Sequence, residues 1–199
     1  MFTGIIQALG SIQSMEKISG DLHCEIFSGS LDLKDLDIGS SVSVNGVCLT
    51  AIKITNQSFF VDVSNETLSL TSLGNLKVGS NVNLEKSLML SSSLGGHLVS
   101  GHVDGLGTII KKEEDSRSIR FDVSAPINLQ KYIAQKGSIA VDGVSLTINS
   151  IKDQIFSFNA IPHTLKETIL SEYTEGSEVN LEVDLLARYL ERLMQSKSN

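Results

Sequence analysis

Short runs in which β-branched or aromatic residues alternate with polar ones, broken by Gly, Ser, Asn and Asp, recur along the whole chain and predict a fold built mainly from strands. SVSVNGVCLTAIKIT, SFFVDVS and SNVNLEKS lie in the first half, and GLGTIIKK, SIRFDVS, SIAVDGVSLTINSI, QIFSFNAI and SEVNLEVD in the second. Asn45-Gly46 and Asp142-Gly143 sit between valines inside two of these runs. Such pairs accept the positive φ angles of a tight turn and predict hairpins. Short helical patches are predicted at LDLKDLDIGS and NLQKYIAQKGS, each reaching a Gly as helix ends often do, and at TLSLTSLGNL and TLKETILSEY. Near the C-terminus DLLARYLERLMQ places Leu186, Tyr189 or Leu190, and Leu193 at the spacing of an amphipathic helix. Asp184 is the candidate N-cap of that helix, and Lys197 suits its C-terminal end. A lone short helix needs a partner for its apolar stripe, so self-association is expected.

These patterns are written twice. At an offset of 97 residues, and without a gap, Gly4 falls on Gly101, Gly46 on Gly143, Thr67 on Thr164 and Gly79 on Gly176. Residues 1–88 and 98–185 share roughly 26 identities, enough to make the repeat the first organising fact of the chain. VNGVCLT answers VDGVSLT, and GSNVNLE answers GSEVNLE. Each copy carries about six strands, and a small antiparallel sheet of that size hides its edges best by closing into a barrel. The expected architecture is all-β: tandem six-stranded barrels over residues 1–90 and 97–185, joined by a small, polar linker around 87–96, with a C-terminal α-helix over 186–199.

Charge and cysteine content narrow the chemistry. A net charge of −7 and the lack of any basic stripe argue against a nucleic-acid partner. Cys24 and Cys48 fall in one copy and neither is matched in the other, so reduced thiols are expected rather than a disulfide framework. MFTGIIQALG lacks a charged leader and a long apolar region, and no stretch reaches 18 apolar residues, so a cytoplasmic protein with no membrane partner is expected. His97 and His102 are five apart but have no accompanying thiols, which does not make a metal site. Gly95-Gly96 is too short for a dinucleotide fingerprint.

MFTGII, NGVCLT, GGHLVSGHVDG, VDGVSLT and IPHTL, in this order within a gapless tandem repeat, together resemble riboflavin synthase over essentially the whole chain. The resemblance implies two Greek-key barrels followed by a helix through which three chains associate. It implies a transferase that needs no cofactor and no metal. Two molecules of 6,7-dimethyl-8-ribityllumazine would react, one donating a four-carbon unit to the other, giving riboflavin and 5-amino-6-ribitylaminouracil. Each barrel would bind one lumazine, and a site would form between the N-barrel of one subunit and the C-barrel of its neighbour. The partners implied are two further copies of the chain and lumazine synthase.

Transferred position by position, the family's binding residues fall into equivalent sets. Gly4, Ile5 and Ile6 answer Gly101, His102 and Val103; Cys48, Leu49 and Thr50 answer Ser145, Leu146 and Thr147. Asp62, Val63, Ser64, Asn65, Glu66 and Thr67 answer Asn159, Ala160, Ile161, Pro162, His163 and Thr164, and Lys136 is a further binding position. Equivalence under the repeat suggests that each set would meet the same edge of its own ring.

Donor and acceptor must be treated differently, so the mismatches matter most: Ile5 against His102, Cys48 against Ser145, Glu66 against His163, and Ser87 against Asp184. The donor loses a proton from its C7 methyl and the acceptor is attacked at C7, which asks for acid/base groups near neutrality and an activated hydroxyl or thiol. His102 is the leading acid/base candidate because imidazole titrates in the useful range; the competing reading is a hydrogen-bonded strand histidine. Ser145 resembles the family's catalytic serine. Cys48 mirrors it, with a small buried inert residue as the alternative. Ser41 and Thr147 are secondary hydroxyl candidates. Asp184 resembles an aspartate placed near a serine and a histidine across a subunit contact. Two other readings compete with an enzyme: a non-catalytic lumazine- or flavin-binding antenna protein of the same fold, and an oligonucleotide-binding barrel. The acidic balance and absent tryptophan disfavour the second.

Overall fold

In the computed structural model, which describes residues 1–18 and 20–195, the chain forms two antiparallel sheets of seven strands, one per repeat. The first contains β1 (Ala8–Ile18), β2 (Asp21–Phe27), β3 (Ser41–Val44), β4 (Val47–Thr50), β5 (Lys53–Ile54), β6 (Ser58–Val63) and β7 (Asn81–Lys86). The second contains β8 (Gly105–Asp115), β9 (Ser118–Ser124), β10 (Ser138–Val141), β11 (Val144–Thr147), β12 (Ser150–Lys152), β13 (Ile155–Ala160) and β14 (Glu178–Val183). The strand orders are β4-β3-β7-β1-β2-β6-β5 and β11-β10-β14-β8-β9-β13-β12. Both orders place the last strand between the first and third, and both sheets curl so that β4 approaches β6 and β11 approaches β13. Even the bulges repeat, between Ile12 and Ser14 and between Ile109 and Lys111.

Alternation decides which face of each strand is buried. Val61 and Val63 of β6 point into the first core with Val42, Val44 and Leu84, and Phe156 and Phe158 of β13 point into the second with Ile139, Val141 and Leu181. The count of six strands per copy is corrected to seven: β5 and β12 are two- and three-residue arms that pair with β6 and β13 and are too short to carry a readable alternation.

The predicted hairpins form as read. Val44 pairs with Val47 around Asn45 (φ 47°) and Gly46 (φ 77°), and Val141 pairs with Val144 around Asp142 (φ 42°) and Gly143 (φ 79°). The two turns touch each other: a Cβ on Gly46 would come within 2.6 Å of the Gly143 amide, and one on Gly143 within 2.8 Å of the Gly46 amide. Asn83 and Asn180 lace this junction. Asn83 Nδ2 donates to the Asp142 carbonyl at 2.9 Å, and Asn180 Nδ2 donates to the Asn45 carbonyl at 2.8 Å.

TLSLTSLGNL and TLKETILSEY enter α1 (Asn65–Leu70) and α2 (Pro162–Glu167), each followed by a 3-10 turn. NLQKYIAQKGS contributes to a 3-10 helix over Ile127–Tyr132. LDLKDLDIGS forms no helix, because its polar side chains bond the local backbone instead: Asp32 accepts from the Lys34 amide and Ser40 from the Asp37 amide. The C-terminal pattern forms α3 (Leu185–Gln195), and Asp184 Oδ1 accepts from the Leu186 amide as an N-cap does. Lys197 and the end of the predicted 186–199 segment lie outside the described residues. The polar face of α3 lies on its own barrel: Arg188 bonds Asp104, and Glu191 accepts from Lys131 and Tyr132. Leu186, Tyr189 and Leu190, on the other side, are about three-fifths exposed. No helix among the described residues is long and apolar enough to cross a membrane.

Candidate active site

Two short straps, residues 2–6 and 99–103, cross between the repeats. Phe2 and Val99, which are repeat mates, pair with each other through reciprocal bonds of 2.7 and 3.1 Å and are fully buried. Beyond that crossing each strap lies on the opposite copy. The Ser145 amide donates to the Gly4 carbonyl at 2.8 Å, and the Cys48 amide to the Gly101 carbonyl at 2.9 Å. Ile6 packs on the second core and Val103 on the first. The glycines are required by this approach: both have positive φ, and a Cβ would come within 2.6 Å of the Cβ of Ser145 or of Cys48.

Buried carboxylates hold the straps from below. Glu85 accepts from the Thr3 amide and hydroxyl, each at 2.7 Å, and from the Gly4 amide at 3.0 Å. Burial pushes the Glu85 carboxyl above the usual range, and these donors oppose the shift. Glu182 does the same for Ser100, Gly101 and His102.

The expected residue sets therefore come together crossed. One half-site brings the strap carrying His102 and Val103 to Cys48, with Ser41 opposite Thr50 in the β3–β4 register and β6, which ends at Val63, beside β4. The other brings the strap carrying Gly4, Ile5 and Ile6 to Ser145, with Thr147 two residues further along β11 and β13, which ends at Ala160, beside that strand. Lys136 is tied to this second half-site through its amide, which donates to the Ile148 carbonyl at 2.8 Å. It adopts φ 65° where its repeat mate is Gly39.

Not every residue in the sets offers its side chain. Leu49, Leu146, Val63 and Ala160 point into the cores, so only their backbone can meet a ligand. Asp62 is bonded to His23 Nδ1 at 2.7 Å, and the Asn159 amide nitrogen donates to Asp115 and Ser118. Ser64 caps α1 by accepting from the Thr67 amide. Asn65, Glu66, Ile161, Pro162 and His163 are exposed at the starts of the two short helices, while Thr67 and Thr164 are half-buried there.

The sequence reading considered His97 only beside His102 and missed its contact with Ser145. Its Nδ1 is 2.7 Å from Ser145 Oγ, and its amide donates to the Thr3 carbonyl at 3.1 Å. Burial lowers its pKa below that of an ordinary imidazole, and the nearby charge of Asp184 partly offsets the shift. The ring is therefore neutral near pH 7 and able to exchange a proton with the serine. Serine and histidine thus meet within one chain, with the Asp184 charge near enough to act on the ring, while His97 Nε2 is buried without a hydrogen-bond partner among the described residues. The equivalent environment of Cys48 contains Phe2, Val99 and Ala140 instead. Cys24 lies in the first core, and burial, with help from the charge of Asp62, pushes its thiol up to about 11, so it is inert. No cluster of three or more His, Cys, Asp or Glu suited to a metal ion occurs among the described residues.

Beside the Glu85 clamp lies a cleft of about 460 Å³ lined by Thr3, Ile5, Leu36, Glu85, Ser87 and linker residues to Gly95. In the second repeat α3 occupies the equivalent flank, so the two half-sites differ in their surroundings as well as in their reactive groups.

The lumazine binding domain family matches residues 3–87 and 100–184. The chain is 44% identical to the riboflavin synthase of Photobacterium phosphoreum over 194 residues, covering 98% of this chain and 89% of that one. It is 44% identical to the riboflavin synthase of Bacillus subtilis (strain 168), covering 98% and 90%. Among solved structures, LumP complexed with riboflavin aligns with a TM-score of 0.85 at 28% identity, covering 92% of this chain and 99% of that one. LumP complexed with 6,7-dimethyl-8-(1'-D-ribityl) lumazine aligns with a TM-score of 0.82 at 27% identity and the same coverage.

Proposed function

The chain belongs to the riboflavin synthase family, and from that premise we infer that it converts two molecules of 6,7-dimethyl-8-ribityllumazine into riboflavin and 5-amino-6-ribitylaminouracil. One molecule gives a four-carbon unit to the other, so the enzyme is a transferase, acting in the cytoplasm. The observation that carries this reading is the crossed pair of half-sites, equivalent in backbone and different in side chains. Two identical substrates need equivalent cradles, and unequal roles need unequal chemistry.

Holding two flat rings in register replaces a bimolecular encounter with an effectively intramolecular one, worth about 7 to 11 kcal/mol of barrier. The strap backbones and the β4 and β11 rims supply that positioning. In the reading adopted here, His102 beside Cys48 exchanges protons at one half-site, with the Ser41 hydroxyl in reach of the same rim. At the other, the neutral His97 accepts the Ser145 proton as the hydroxyl adds to a ring carbon, and Asp184 stabilises the imidazolium that results. Lys136 and Thr147 complete that side.

Three chains assembling through α3 would bring an N-terminal half-site of one subunit to a C-terminal half-site of the next. The support is the exposed stripe of Leu186, Tyr189 and Leu190 on a helix whose opposite face is already bonded to its barrel. Lumazine synthase, as the supplier of substrate, is a further partner under this reading. Deleting residues 187–199 while retaining Asp184 should give monomers with greatly reduced turnover, checked by sedimentation and a riboflavin fluorescence assay; a fully active monomer would refute the shared site.

The direct test is chemical. Purified protein should release one uracil product per riboflavin formed from dimethylribityllumazine. Tight lumazine binding without turnover would instead identify a non-catalytic lumazine- or flavin-binding antenna protein of the same fold. His102, Cys48, Ser145 and Asp184 are all present, which supports the enzyme.

A further inference from the structure

Asp104 ends the second strap and has a neutral mate, Gln7, in the first. The mates share one task. Gln7 Oε1 accepts from the Lys86 amide at 3.0 Å, and Asp104 Oδ2 accepts from the equivalent Val183 amide at 2.8 Å. A neutral side chain suffices for that bond, so the charge at position 104 needs another explanation. It lies in α3: Arg188 bonds Asp104 Oδ1, and its guanidinium also reaches the His102 carbonyl at 3.5 Å. The Asp104 carboxylate is nearly buried, at 11% side-chain exposure, and Arg188 is at 37%, so the pair is shielded from solvent more than a surface ion pair is.

The consequence runs from the helix to the half-site. Arg188 fixes the end of the strap that carries His102 and Val103. Val103 packs on the first core, and the Gly101 carbonyl holds the Cys48 amide. From β14, Glu182 and the Leu181 carbonyl, which accepts from the Asp104 amide at 2.8 Å, hold the same strap. α3 is the only one of these anchors whose other face is exposed apolar surface.

We propose that Arg188 is a positioning residue for lumazine binding, setting through Asp104 the placement of His102 and Val103 over Cys48. This rests on the riboflavin synthase reading for its substrate. The bidentate-capable guanidinium suits a contact with a carboxylate and a carbonyl together, which a lysine satisfies only in part. The first strap has no equivalent, so the requirement is confined to the half-site containing Cys48.

The full-length chain is titrated with riboflavin by fluorescence quenching and assayed with dimethylribityllumazine, alongside Arg188→Ala, Arg188→Lys, Asp104→Gln and the double variant Asp104→Gln/Arg188→Ala. Asp104→Gln reproduces Gln7 and keeps a bond to Val183, so folding is preserved. The expected result is about a tenfold rise in KM and in the riboflavin Kd for Arg188→Ala and for Asp104→Gln, with kcat falling less than threefold. Arg188→Lys should recover part of the loss, and the double variant should be no worse than either single change. Binding and KM within twofold of the unaltered chain in both single variants would overturn the proposal. So would an effect of Arg188→Ala that Asp104→Gln lacks, or a loss that tracks chain dissociation and is reversed at high protein concentration. A chain inactive before any substitution would instead sink the enzymatic reading, and the riboflavin titration would still decide the role of Arg188.

Discussion

A His97→Ala chain is expected to form riboflavin about a hundredfold more slowly than the unaltered protein, the range in which a positioned proton-transfer group acts. The ring is buried and its Nδ1 lies 2.7 Å from Ser145 Oγ, so removing it leaves the hydroxyl without its imidazole partner. His97→Gln is the sharper variant, since glutamine can hold the serine by a hydrogen bond but cannot titrate. Its turnover should stay low. It should also lose the acid limb of the pH profile, which in the unaltered chain lies below the pKa of an ordinary imidazole because burial lowers that of His97. A His97→Gln enzyme with native rate and native acid limb would show that the pair serves packing alone.

The second large effect is on stability, and its sign is opposite to that of most substitutions of a buried acid. Asp142 is buried at the junction of the two hairpin turns, where burial pushes its carboxyl up to about 6 despite bonds from Tyr173 Oη at 2.5 Å and from the Asn180 amide at 2.8 Å. Tyr173 is shifted upward as well, chiefly by burial and then by the Asp142 charge. The folded chain therefore binds the Asp142 proton more tightly than the unfolded chain, whose carboxyl titrates near 3.8. Stability tied to this group is present below pH 3.8 and is lost as pH rises through about 6. That loss is on the order of a few kcal/mol. Asn45 shows that asparagine fits the equivalent turn, its Oδ1 accepting from the Asn83 amide at 2.7 Å. Asp142→Asn should therefore be more stable than the unaltered chain at pH 8 and lose that advantage towards pH 4, as measured by urea unfolding at the two pH values. A variant less stable at pH 8 would mean that the ionised carboxylate gains more from Tyr173 and Asn180 than burial costs.

Local chemistry was legible in the sequence, and crossings were not. The turns at Asn45-Gly46 and Asp142-Gly143, the strands beside them and the helix capped by Asp184 follow from spacing and backbone preference alone. The 97-residue offset carries over to the strand bounds and the two bulges. LDLKDLDIGS misled because its apolar spacing suits a helix while Asp32 and Ser40 offer the backbone better local partners. The exchange of the straps is a relation between residues far apart in the chain, 53 for Cys48 and Gly101 and 141 for Gly4 and Ser145, and nothing in MFTGII or VSGHVDG says on which barrel it will lie. His97 escaped for a related reason: it stands just before the first residue of the second paired segment, has no mate to be compared with, and meets Ser145 only through the fold.

Phe2 gives to Val99 what Val99 gives to Phe2, Gly4 meets Ser145 as Gly101 meets Cys48, and each turn glycine abuts the other. This is the self-complementary pattern of an isologous two-fold dimer, here formed within a single polypeptide. One copy by itself would have completed its ligand cradle only by pairing with a twin, and both cradles would then have been chemically alike. Fusing the twins removed that constraint: a change such as serine for cysteine, or histidine for isoleucine, could enter one cradle without being imposed on the other.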